Sequence, residues 1–295
     1  MRSGLIFLAL MFSAALLGSC NGSHRNYNGS GSHRVVHLSL DDVELFDDLI
    51  THQQEYDSLF QHPLLAFLKD LHGEYGVRIT LYTYDHLGHN DSGSRLEDMP
   101  LKYKDDFLKA SDWLRIGFHN PRARFDSLVS VAEFSNAYNN VNTAIARFAD
   151  SSMIAKTLRL HYFFAPDSLV NSLTGTTTLL CADHNNVGSY NLTPAQVATV
   201  ANGKEIVKNN IAYRRTDLRI DDNFRILSKL KQLEPNDTLV IFAHEWKLWH
   251  NPENMSGRST AGRIKVRAFD YANRILFKET VKWLNDAGYS YSFLE

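Results

Sequence analysis

From His33 onward the chain alternates short β-branched or aromatic runs with longer stretches of helical periodicity, and that alternation limits the folds open to it. The runs are Val35–Leu40, Val77–Tyr84, Trp113–His119, Thr157–Phe164, Thr176–Asp183, Ile211–Ile220, Thr238–His244 and Tyr289–Leu294. Apolar stripes lie between most of them. One holds Leu59, Leu64, Leu65, Leu68 and Leu71 and stops at Gly73 and Gly76. A second runs from Phe125 through Leu128, Val131, Ala132 and Tyr138 to Ile145, and a third joins Phe224, Leu227, Leu230 and Leu233. A long one covers Thr260 to Leu284 and ends near Gly288. Strands separated by helices pair in parallel, because each return crossover needs about a dozen residues. Eight such runs predict an α/β fold, a (β/α) barrel that is distorted or incomplete, with seven to eight strands in a single domain over residues 35–295. An open doubly wound sheet is the alternative.

The first residues follow another pattern. Met1 and Arg2 precede an apolar run from Leu5 to Leu17, too short for a permanent membrane span but suited to a secretory signal. Leu17-Gly18-Ser19-Cys20 resembles the bacterial lipobox. Residues 1–19 therefore read as a lipoprotein signal peptide, with Cys20 as the lipid-modified terminus. Residues 20–34, rich in Asn, Gly, Ser and His, read as a flexible tether. The expected address is the bacterial cell envelope, lipid-anchored at the outer membrane or cell surface. With 31 Lys+Arg against 33 Asp+Glu, the chain has no broad cationic field for nucleic acid. Two cysteines exclude a disulfide scaffold and a multi-Cys metal site. Cys181, inside Leu179-Leu180-Cys181-Ala182, reads as a buried, inert thiol.

Polar residues gather where the runs stop. The first ends in Asp41-Asp42, the second in Asp85-His86 and the third in His119. The fourth carries His161, the fifth ends in Asp183-His184, and the seventh in His244-Glu245-Trp246. Each alone has a plain structural reading: Asp41-Asp42 as a helix cap, His161 as packing among Tyr162, Phe163 and Phe164. Together, at the face where barrels do chemistry, they suggest metal-assisted hydrolysis. One of two adjacent carboxylates binds a divalent cation while the other takes a proton from water. An imidazole from another strand completes part of the metal shell, and a further one delivers a proton.

His37-Leu38-Ser39-Leu40-Asp41-Asp42-Val43 resembles the first motif, Thr-Phe-Asp-Asp, of the polysaccharide deacetylases, carbohydrate esterase family 4. Ile116-Gly117-Phe118-His119-Asn120 resembles the start of the second motif. Arg159 to Pro166 falls where the third belongs, and Leu239 to Glu245 is similar to the late Leu-x-x-His motif. The resemblance implies a distorted (β/α) barrel that removes N- or O-acetyl groups from polysaccharides with a divalent metal, taken here as zinc. It makes Asp41 the general base, Asp42 and His119 metal ligands, and His244 the acid. Two departures stand out. The second motif reads His-x-x-x-His, yet Ala123 follows His119 at that spacing; the third motif has Ala165-Pro166 in place of Arg-Pro. His161 is the expected replacement ligand, with Asp183, His184 and Glu245 as alternatives.

Asp183, His184, Glu245 and Trp246 are the expected substrate-binding residues, and Trp246 and Trp249 offer faces on which sugar rings stack. Arg214, Arg215 and Arg219, near Asp217, Asp221 and Asp222, read as a mutually paired charged strand, with a clamp for an acidic sugar as the alternative. The function that these residues imply is a metal-dependent hydrolase acting on an acetylated glycan or related carbohydrate. The alternatives are a carbohydrate-binding surface lipoprotein that has lost turnover, and a glycosidase using Asp41 with Glu245.

Overall fold

The computed structural model describes residues 34–88, 93–120, 130–182, 190, 192–221, 225–233, 236–250 and 258–295. The expected signal peptide, Cys20 and most of the tether lie outside these residues, as do Ala123, Asp183 and His184. Ten strands are described: β1 (Val35–Val43), β2 (Ile79–Thr83), β3 (Leu114–Phe118), β4 (Thr157–Leu158) and β5 (Thr178–Cys181), then β6 (Ile206–Lys208), β7 (Ile211–Arg215), β8 (Leu218–Arg219), β9 (Thr238–His244) and β10 (Ser290–Tyr291).

β1 is the centre of the architecture. Strand alternation puts His37, Ser39 and Asp41 on one face and Val36, Leu38 and Leu40 on the other, and all six are buried. β9 pairs with β1 from Val35 to Asp41; the opposite edge is shared by β2 above and β10 below. The first sheet runs β3-β2-β1-β9-β8 and the second β4-β5-β7-β6. Two seams join them. Ala155 N–H donates to the Ile116 carbonyl at 2.8 Å, beside a parallel bridge from Ile116 to Ile154. On the far side the backbone passes from β7 to β8 through Thr216, which donates to Cys181, and Asp217, which donates to Val240. The pairing thus travels round a distorted, incomplete barrel whose ladders are parallel, with β6–β7 the antiparallel exception among the described strands.

The crossovers carry the helices. α1 (Leu45–Thr51) and α2 (Pro63–Tyr75) follow β1, α3 (Lys104–Lys109) follows β2, and α4 (Val131–Phe148) follows β3. α5 (Asp167–Val170) precedes β5, and α6 (Pro194–Ala201) precedes β6. α7 (Ile226–Leu233) and α8 (Glu245–Leu248) flank β9, and α9 (Thr260–Asp286) leads to β10. α2 starts with Pro63 at its first position and buries Leu64, Leu65, Leu68 and Leu71. It runs through Gly73 and ends at Gly76, whose φ of 67° suits a residue without Cβ. A Ser130–Glu133 capping box starts α4, which buries Phe134, Tyr138, Val141, Ile145 and Phe148. Cys181 is buried in β5. No helix among the described residues is long and apolar enough to cross a membrane.

The strand Ile206–Lys208 is additional to the expected runs, Tyr289–Leu294 is strand only at Ser290–Tyr291, and two further segments depart from the sequence reading for a physical reason. The run Thr157–Phe164 is strand only at Thr157–Leu158; His161–Phe163 is a 3-10 turn with φ of 54° at both Tyr162 and Phe163. The reason is a change of hydrogen-bond partners. Leu160 N–H donates to the Tyr190 hydroxyl and His161 N–H to Asn120 Oδ1, so side chains replace the ladder. Ile211–Ile220 is likewise two strands, because the backbone changes sheets at Thr216 and Asp217.

Candidate functional site

Asp41 and Asp42 are adjacent, and strict alternation would send them to opposite faces of the sheet. It does not. The register between β1 and β2 slips between Leu40 and Val43, and Asp42 adopts a left-handed backbone with φ of 55°. A bulge of this kind re-aims a side chain. Strained φ values in non-glycine residues collect at functional sites.

Asp41 is buried against Arg159, whose guanidinium donates to Asp41 Oδ1 and to Ser39 Oγ, both at 2.8 Å. Arg159 is 1% exposed, reaches Thr216 Oγ1 at 3.4 Å, and lies 4.2 Å over the Phe242 ring. A buried guanidinium demands such partners. Its charge, after burial itself, pushes the pKa of neighbouring His37 down to about 3, so that ring is neutral.

Asp42 accepts the Tyr84 hydroxyl on Oδ1 at 2.5 Å and the Trp246 indole N–H on Oδ2 at 3.1 Å. His119 Nε2 lies 3.3 Å from Oδ1, and His244 Nε2 lies 3.9 Å from Oδ2. Burial alone would raise the Asp42 pKa; His119, Tyr84 and His244 more than offset it and hold the carboxyl well below the ordinary range. His119, at the end of β3, is 2% exposed. Gly117 in the same strand leaves room for Tyr82, since a Cβ there would stand 2.8 Å from the ring. His161 stacks on His119 with ring centres 5.1 Å apart, and on Tyr162 at 4.6 Å. Burial and then His119 lower its pKa. Ligand atoms of Asp42, His119 and His161 all lie within 4.8 Å of one another, a grouping of the size that a cation fills.

Hydrogen bonding tests whether these residues suit a metal. His119 Nδ1 is 2.6 Å from the Arg159 carbonyl oxygen, which only accepts, so Nδ1 carries hydrogen. In neutral His119 the Nε2 lone pair then faces the Asp42 carboxylate across 3.3 Å. Two acceptors at that distance need a cation between them, a proton or a metal ion. His161 Nδ1 is also buried, with no hydrogen-bond partner among the described residues. One carboxylate and two imidazoles, with one imidazole oriented by a backbone carbonyl, fit a divalent transition metal.

His244 ends β9. Its Nδ1 donates to Asp221 Oδ2 at 2.9 Å, and its backbone N–H donates to Asp221 Oδ1 at 3.0 Å. Burial opposes protonation, but the Asp221 carboxylate prevails and raises the His244 pKa above 6.5. Trp246, 42% exposed, tilts against His244 with ring centres 5.4 Å apart. Glu245 instead is 5% exposed. Burial, then Glu44, pushes its pKa well up. Asp183 and His184 lie outside the described residues.

Of the residues singled out in the sequence, Asp41, Asp42, His119, His161, His244 and Trp246 come together. Arg159, Asp221, Tyr84 and Asn120 complete the site without having been singled out for it. Arg159 had a signal: a lone charge between Leu158 and Leu160 must find a buried partner. Arg215 pairs with Asp217, Arg214 with Glu205, and Arg219 with Asp221, as a charged strand does.

No protein-family model matches the chain, and no curated protein matches it. Among solved structures it is similar to a family 4 acetyl xylan esterase from Clostridium thermocellum in complex with a cobalt ion, at 12% identity and TM-score 0.45, covering 88% of this chain and 87% of that one. It is similar to the carbohydrate esterase family 4 domain of a multidomain xylanase from the hindgut metagenome of Trinervitermes trinervoides, at 10% identity and TM-score 0.43, covering 89% and 88%. A point mutant of a peptidoglycan deacetylase from Bacillus subtilis is similar at 13% identity and TM-score 0.41, covering 88% and 87%.

Proposed function

We propose that this protein is a metal-dependent hydrolase that removes acetyl groups from a carbohydrate. The supporting observation is the convergence of Asp42, His119 and His161, flanked by a carboxylate held by Arg159 and an imidazole held by Asp221. Asp42, His119 and His161 would hold a divalent cation, zinc in this proposal, and a cation bound there would supply Lewis-acid polarisation of the acyl carbonyl and a lowered water pKa. Asp41, fixed by Arg159, takes the proton of the attacking water. His244 gives a proton from Nε2 to the departing amine or alcohol, and Asp221 keeps its Nδ1–H in place. Trp246 forms an aromatic wall beside His244 on which a sugar ring stacks. Attachment to the bacterial envelope through Cys20 belongs to the same proposal and rests on the lipobox-like sequence alone.

The test is acetate release from acetylated chitin oligomers, acetylated xylan and peptidoglycan by protein loaded with zinc or cobalt. His244→Ala is expected to lower the rate by about 10²- to 10⁴-fold, the usual contribution of general acid–base catalysis. No release from any of these substrates, with a stoichiometric metal bound, would remove the deacetylase reading.

A further inference from the structure

Asp42 is gripped from two sides by residues to which the proposed mechanism gives no chemical step. Tyr84 donates its hydroxyl to Oδ1 and Trp246 donates its indole N–H to Oδ2, from positions 42 and 204 residues away in the chain. Tyr84 is 7% exposed, with its ring 5.5 Å from that of His119.

The backbone explains why a grip is required. Asp42 lies where the β1–β2 register slips, in a left-handed conformation, so the sheet ladder does not fix the direction of its side chain. One donor on one oxygen would leave the carboxylate free to swing about that contact. Two donors on different oxygens fix its plane.

We propose that Tyr84 and Trp246 are positioning residues that hold the Asp42 carboxylate in the orientation used for metal binding; the inference rests on the metal-pocket reading above. Outer-shell partners of this kind typically set metal affinity by 10- to 100-fold.

The experiment titrates purified full-length protein with zinc by calorimetry and records the absorption spectrum of its cobalt(II) form, for wild type, Tyr84→Phe and Trp246→Phe. Both substitutions keep an aromatic ring and delete only the donor. Each is expected to weaken zinc binding by about 10- to 100-fold and to alter the cobalt spectrum, while the thermal unfolding midpoint of the metal-free protein falls by no more than the loss of one hydrogen bond to a charged group allows. A role in packing alone would lower that midpoint further and leave the spectrum unchanged, which would overturn the inference. Wild-type affinity and spectrum in both variants would overturn it too, with the metal pocket standing. A wild-type protein that binds neither zinc nor cobalt would remove the pocket, and the clamp with it. Should Tyr84→Phe fail to fold, Trp246→Phe, at a position 42% exposed, carries the test alone.

Discussion

The two arcs of the barrel do the same job by different means. β1, β2, β3 and β9 are five to nine residues long and pair in continuous ladders, apart from the slip at Asp42. β4, β5 and β8 have two to four residues, and β4 gives way to a turn in which side chains take over the hydrogen bonds. The long arc delivers Asp41, His119 and His244 at strand ends by periodicity, and Asp42 by the register slip that re-aims it. The short arc delivers Arg159 and His161, one residue after the ladder ends and three residues after it. Precision there comes from tertiary contacts: Asn120 and Tyr190 on the backbone, and Asp41 and Ser39 on the guanidinium.

If the short arc depends on those contacts, cutting the buried pair should loosen the whole fold. Arg159→Met leaves Asp41 buried without its cation, and breaking such a pair typically costs about 3–5 kcal/mol. Urea unfolding of the metal-free protein measures it. A loss below about 1 kcal/mol, within the range of an exposed ion pair, would mean that the helices rather than Arg159 fix this arc.

The imidazole that each arc supplies should contribute equally to the metal. His119→Ala and His161→Ala are each expected to weaken zinc binding by more than the roughly 100-fold that loss of an outer-shell partner can cost. Calorimetric titration of the two variants compares them directly. Wild-type affinity in His161→Ala alone would place the third ligand elsewhere and leave the ring stacked on His119 with a packing role.

The same contrast governs how much could be read from the chain. In the long arc, period-two alternation and the Asp-Asp doublet are local signals, so β1 and the ends of β3 and β9 were visible. Which partner each side chain meets was not. Asp221 and His244 are 23 residues apart, and only the β8–β9 ladder, which pairs Leu218 with Ile241, brings them together. Tyr84 looked like any apolar strand end, because its donor role depends on the backbone twist at Asp42. In the short arc the aromatic run Tyr162-Phe163-Phe164 has high strand propensity, and tertiary hydrogen bonds override it. The hairpin β6–β7 adds a strand to the expected runs, although Asn209-Asn210, between Val207-Lys208 and Ile211, carries a turn signal.

A smaller effect is expected on the long arc, in the helix that follows β1. Asp48 is buried and accepts the Tyr56 hydroxyl at 2.9 Å, with His52 Nδ1 at 2.9 Å and His62 Nε2 at 3.2 Å. Burial would raise its pKa, but His62, Tyr56 and His52 together lower it below the ordinary 3.8. A depressed carboxyl pKa stabilises the fold fully above the unfolded value, and that contribution is lost as pH falls through 3.8 toward the folded pKa. Asp48→Asn is expected to cost about 1–3 kcal/mol at neutral pH and to flatten the stability profile below pH 4. A variant whose acid profile runs parallel to that of wild type would assign the acid sensitivity to other carboxylates.

The short arc also has one feature specified locally, and it sets the smallest effect. Asn209 and Asn210 form the two-residue loop between Lys208 and Ile211, with φ of 52° and 62°. Positive φ at both positions is the turn whose twist matches the flanking strands. Asparagine tolerates this backbone and alanine does not, so Asn210→Ala should cost about 1–2 kcal/mol. Asn210→Gly removes the Cβ conflict altogether and should change stability by less than about 0.5 kcal/mol. The difference between the two variants isolates the backbone term, because Asn210 stands outside the ladder in both. Equal urea midpoints for Ala and Gly would show that the hairpin does not hold its left-handed turn in solution. The short arc would then take even its antiparallel edge from the packing of β7 against β5.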